Sequence, residues 1–181
     1  MANEKTREEE YIGRLEILGN GELAQLRRGC GERDPVEGRC PWLLGLIYGV
    51  AGKATAFLVA SLLAQYKTTD IKSGHHRMEG NFGLTWKRAI MGNDSESLKR
   101  RFHILLDSEF DPESGDGDLP YRLRQMVRYA AGKGVGVDWP DLLKHIRGWN
   151  SPEKWVQKLW AASFFGNEYV TEAKTNPEEK E

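Results

Sequence analysis

Cysteine is nearly absent from this sequence. The two present, Cys30 and Cys40, match no common zinc spacing, and no second Cys or His pair completes four ligands. That usage fits a reduced cytoplasmic protein with two incidental thiols. No apolar stretch follows the acidic N-terminus, so no secretory signal is expected. Strand-like alternation is missing throughout. So is a catalytic inventory: there is no Ser-His-Asp order in suitable surroundings, no metal cluster and no nucleophile elbow. GLIYGVAGKAT fails as a phosphate-binding loop, because Ile47 and Ala54 stand where the pattern needs Gly and Ser or Thr. DSEFDPESGDGD (107–118) fails as a calcium loop started at Asp111, because Asp116 replaces the required Gly and Arg122 the terminal Glu.

Net charge is also small, at -1 over 181 residues, but unevenly spread. The first ten residues hold four glutamates against Lys5 and Arg7, a net of -2. Residues 168–181 hold five glutamates against Lys174 and Lys180, a net of -3. The remainder, 11–167, therefore carries +4. The body is mildly basic, with its cations clustered.

What the chain does have is helical periodicity. Tyr11, Ile12, Leu15 and Leu18 make one stripe over Glu8–Leu18, and GELAQLRR follows with Leu23 and Leu26 inward. Trp42–Tyr66 is long enough to span a membrane, yet Lys53 near its middle would cost about 2.5–3.5 kcal/mol there. With Gly45, Gly49 and Gly52 also present, two buried helices, about 42–49 and 54–66, are expected. His75 and His76 lie in a polar loop. A short helix over Leu84–Met91 carries Lys87 and Arg88.

In LKRRFHILL, Leu98, Phe102, Leu105 and Leu106 form the buried stripe and Lys99, Arg100 and Arg101 the outside, with Ser95 as the expected N-cap. The 107–118 loop reads as a solvated, flexible connector. In LPYRLRQMVRYAA the stripe is Leu119, Leu123, Met126, Val127 and Ala130. Arg124 and Arg128 stand opposite at i, i+4. Asp138 caps VDWPDLLKHIRGW, which buries Trp139, Leu142, Leu143, Ile146 and Trp149 and leaves Lys144 and Arg147 outside. Ser151-Pro152 is expected to cap a last helix ended by Gly166. Trp149, Trp155 and Trp160 are core residues on this reading, with base-stacking platforms as the alternative.

The expected fold is all-α: an N-terminal helical lobe over 1–80, a helical bundle over 81–166 and an acidic, disordered tail over 167–181. Its recurring device is a helix with an apolar inner face and Arg or Lys outside. Aligned, such faces make a groove for a phosphate backbone and position a strand without reading its sequence.

The ordered series GELAQLRR, FGLTWKRAI, LKRRFHILL, YRLRQMV, VDWPDLLKHIRGW and VQKLWAASFF resembles the CasB family, the small subunit of Cascade, the type I-E CRISPR surveillance complex. The resemblance covers about 21–28 and 82–165. It implies a non-catalytic, cofactor-free, all-helical subunit of a prokaryotic cytoplasmic ribonucleoprotein. Two copies would stand beside the backbone and large subunits and the guide RNA. They would grip the displaced DNA strand and support the target strand, so holding the R-loop open for antiviral defence. The implied backbone-contacting residues are Arg27, Arg101, Arg124 and Lys144, with Arg28, Arg100, Arg122 and Lys87 beside them. An alternative of another class is a helical metal-dependent enzyme using His75, His76 and the 107–118 carboxylates.

Overall fold

The structure, a computed structural model, describes residues 6–28, 40–47, 50, 52–69, 78–93 and 95–172, with backbone alone at 69 and 167–172. Cys30, His75, His76 and the end of the acidic tail lie outside the described residues.

The first helix, α1 (Arg7–Glu16), begins at a reciprocal cap: Glu9 N donates to Thr6 Oγ1 at 3.2 Å and Thr6 N to Glu9 Oε2 at 2.9 Å. It buries Tyr11, Ile12 and Leu15 of the stripe its periodicity predicts, while Leu18, beyond the end of the helix, is only half-buried. Helix α2 (Asn20–Arg28) buries Leu23 and Leu26. A 3-10 turn at Pro41–Leu43 runs into α3 (Leu44–Ile47), and α4 (Lys53–Thr69) follows.

The core is organised around α4. Residues Thr55 to Ala64 are buried without interruption, so this helix is enclosed on every side. It packs against α2 and against two later helices, α7 (Leu119–Gly132) and α8 (Trp139–Arg147). That enclosure is the physical reason for its apolar sequence. No described helix is long and apolar enough to cross a membrane. Two of its enclosed polar groups find partners inside: Tyr11 Oη donates to Ala56 O at 2.9 Å, and Ser61 Oγ to Leu58 O at 2.8 Å. Burial pushes the Tyr11 phenol well above its usual value of 10.0.

Helix α5 (Phe82–Ile90) is capped by Asn81, whose Oδ1 accepts from Leu84 N at 3.3 Å. It lies on the last helix, α9 (Trp155–Glu172), while α6 (Glu96–Leu106) lies on α7. An aromatic layer joins these parts. Trp160 stands 5.2 Å from Phe82 and 5.1 Å from Trp149, and Phe102 stands 4.4 Å from Phe164, centroid to centroid. Regular secondary structure among the described residues is helical, with Val137 in one isolated bridge.

Four local expectations are corrected. Ser95 sits at the N-cap of α6, but its hydroxyl meets Ser97 Oγ at 3.1 Å and caps no backbone N–H. Ser151-Pro152 does not start α9. Lys154 N donates to Ser151 O at 2.9 Å in a turn, Lys154 adopts a left-handed φ of 49°, and the helix begins at Trp155. Gly166 does not end α9, which continues to Glu172, because Gly166 is not among the glycines that adopt positive φ.

The fourth concerns 107–118, which is folded and not a loose connector. Asp111 Oδ1 accepts from Glu113 N at 2.9 Å, and Asp118 Oδ1 accepts from Glu109 N at 2.9 Å. Phe110 is buried, and its carbonyl accepts from Asn150 Nδ2 at 2.6 Å. Trp149 Nε1 donates to Ser108 O at 2.8 Å. Gly117, with φ of 118°, would place a Cβ 2.2 Å from Glu109 O, so the turn closes only with glycine there.

Candidate nucleic-acid interface

Each candidate cation stands on a helix whose opposite face is buried. On α6, burial of Leu98, Phe102 and Leu105 turns Arg100 and Arg101 to solvent. Neither pairs with a described carboxylate. Lys99 is half-buried. On α7, burial of Leu123, Met126, Val127 and Ala130 leaves Arg128 exposed and Arg124 half-buried. The Arg124 Nε is itself buried and has no hydrogen-bond partner among the described residues. On α8, Lys144 is exposed. Arg27 and Arg28 are exposed in the last turn of α2, and Lys87 is half-buried in the last turn of α5.

Helix packing brings some of these together. Both α5 and α6 pack on α7, so the elements carrying Lys87, Arg100, Arg101, Arg124 and Arg128 adjoin one another. Arg27, Arg28 and Lys144 belong to α2 and α8, which share α4 as their support.

Two predicted outward cations are engaged within the chain. Arg122 Nε bonds Asp118 Oδ2 at 2.5 Å, and Arg147 NH1 meets Glu8 Oε1 at 2.7 Å. Partial burial acts to raise the Asp118 carboxyl, but hydrogen bonds from Arg122 and the Glu109 amide outweigh it and hold the group below 3.8. Asp111 is likewise held below 3.8, chiefly by the Glu113 amide and then by Ser114.

The tryptophans are core. Trp86, Trp139, Trp149 and Trp160 are each no more than 2% exposed, which removes Trp149 and Trp160 as stacking platforms. Half-buried Trp155 stands edge-on to His145 at 5.4 Å. Among the described residues no group of three or more His, Cys, Asp or Glu could hold a metal.

Periodicity alone missed several residues. Lys154 and Lys158 are exposed cations spaced i, i+4 at the start of α9. Tyr121 stands 60% exposed on the basic helix α7. His145, on the helix that carries Lys144, is only 2% exposed. Its Nδ1 accepts from Trp160 Nε1 at 3.1 Å and lies 3.2 Å from Asp141 Oδ2.

Burial holds His145 below its ordinary 6.5, and the Asp141 carboxylate offsets part of that fall. Burial also raises Asp141 above 3.8. The unfolded chain therefore binds the His145 proton first, so stability is complete above about 6.5 and declines as pH falls below it. The melting temperature should therefore fall between pH 7.5 and 5.5 on account of this residue. His145→Asn should flatten the change, as thermal melts across that range would read.

The fold defines a class first. CasB from M. ruber, a crystal structure, matches with a TM-score of 0.65 and 26% identity, over 94% of this chain and 99% of that one. A chain of a CRISPR RNA-guided surveillance complex matches in fold with a TM-score of 0.72 and 17% identity, over 94% and 98%. The molecule is thus an all-helical protein with the CasB fold.

The family model of the CRISPR-associated protein Cse2 matches residues 22–165, and the chain belongs to that family. The CRISPR-associated protein Cse2 of Thermus thermophilus is 34% identical over 112 residues. That match takes in 61% of this chain and 55% of the relative, so the chain spans about half the length of that relative.

Proposed function

We propose that the protein is a non-catalytic small subunit of a type I-E CRISPR Cascade complex in the prokaryotic cytoplasm, and that it binds nucleic acid through phosphates. In this reading it works with the backbone and large subunits, the guide RNA and a second copy of itself. It grips the displaced strand and supports the target strand of the R-loop. One observation carries the reading: the segment that matches the Cse2 family contains every candidate cation, and it exposes Arg100, Arg101 and Lys144, none of them in an ion pair with a described carboxylate. Base pairing to the guide supplies sequence discrimination, so a protein offering backbone contacts suffices.

A labelled single strand of about 30 nucleotides, arbitrary in sequence, tests this in a salt series. Log affinity should fall linearly with log salt, by about 0.7 for each phosphate neutralised, and should not change when the sequence is scrambled. Failure to bind at low salt, or affinity indifferent to salt, would reject the reading.

A further inference from the structure

We propose that Tyr121 is a stacking platform for an unpaired base of the strand whose phosphates Arg124 and Arg128 contact. The inference rests on the reading above and adds to it a site for the bases themselves. Tyr121 opens α7, and the residues one and two turns on, Arg124 and Arg128, share its side of the helix at i, i+3 and i+7. Leu123, Met126 and Val127 point the other way into the core. Tyr121 is 60% exposed and makes no hydrogen bond or ring contact with the described residues, so a base can reach its ring.

A single exposed aromatic is ordinary on a protein surface. What distinguishes this one is its company. Its turn-to-turn neighbours on the open face are Arg124, Gln125 and Arg128, which are polar or cationic. A partner protein burying the ring would also have to desolvate Arg128 and the exposed part of Arg124. A single strand meets both demands together, because each nucleotide presents an anionic phosphate and a flat base. The nearby cation Arg122 is held by Asp118, which leaves the ring itself uncovered. Stacking is tolerant of base identity, so this contact adds affinity without adding sequence preference. It also chooses single strands over duplex, whose bases are already stacked.

The test compares wild type, Tyr121→Ala and Tyr121→Phe on two strands of equal length, one normal and one in which abasic sugars replace every second base. Tyr121→Ala should bind the normal strand about tenfold more weakly (~1.4 kcal/mol), with an unchanged salt slope because no phosphate contact is lost. Tyr121→Phe should match wild type, since the flat ring is retained. On the abasic strand the gap between wild type and Tyr121→Ala should narrow. Equal melting temperatures for the three proteins would exclude a folding effect. Irradiation with a 5-bromodeoxyuridine strand should cross-link Tyr121. Equal affinity of wild type and Tyr121→Ala for the normal strand would overturn the proposal while a salt-dependent wild-type affinity leaves the parent reading standing. A wild type that binds neither strand overturns both.

Discussion

Replacing Gly83 by alanine should lower the melting temperature by about 10 °C, a loss of about 3 kcal/mol. Gly83 is the second residue of α5, where alanine would ordinarily be at least as good. Packing reverses that sign. A Cβ on Gly83 would stand 2.2 Å from Trp160 O and 2.9 Å from Trp160 Cα. The obstacle is the backbone of α9, which cannot rotate aside as a side chain can. To admit one methyl group, α9 must move away from α5. Trp160 would then lose its fit against Phe82 and Trp149 and its hydrogen bond to His145. Gly13→Ala is the control, because nothing stands within 4 Å of a Cβ there; it should be stabilising by about 0.5–1 kcal/mol. Thermal melts of both variants decide the matter. A neutral or stabilising Gly83→Ala would mean that α5 and α9 are farther apart than described.

The Gly83 contact is invisible in the sequence, and the reason is general to this chain. Features that depend on neighbours within one or two turns were legible. The stripes of α7 and α8 are buried as periodicity predicts, and Asp138 Oδ1 accepts from Asp141 N at 3.1 Å as a capping residue should. Phe102 and Leu105 are buried as expected, although Leu106 is only half so. Features that depend on distant partners were not legible. The 107–118 loop reads as solvated because its composition is acidic, whereas its own turn bonds are anchored to the core by Trp149 and Asn150, far along the chain. Arg147 reads as outward because its partner is Glu8, in the first helix. His145 gives no periodic signal that its ring is enclosed between Asp141 and Trp160. The basic faces were legible as faces, since they are the complement of buried stripes. Which cations on them stay available was not.

That last distinction is what mutation should expose. Arg101→Ala/Arg124→Ala/Lys144→Ala should weaken single-strand binding about 100-fold near 0.1 M salt, with the salt slope shallower by about 2. The magnitude follows from three phosphate contacts at about 0.7 each, acting over a tenfold drop from 1 M salt. Arg101 and Lys144 are exposed and cost little, whereas half-buried Arg124 gives up some packing, so the melting temperature should fall by no more than about 4 °C. Arg122→Ala/Arg147→Ala is the matched comparison. It removes two cations from the same helices, α7 and α8, but Asp118 and Glu8 already neutralise them. If bulk positive charge drove binding, the pair would cost two-thirds as much as the triple in slope. If availability of each cation decides, the pair should leave the slope nearly unchanged, since a bound phosphate would have to displace a carboxylate at 2.5 or 2.7 Å. A pair that matches the triple residue for residue would show that these ion pairs open on binding. The basic surface would then include Arg122, as the family resemblance implies, and the intrachain carboxylates would act as competitors for the strand.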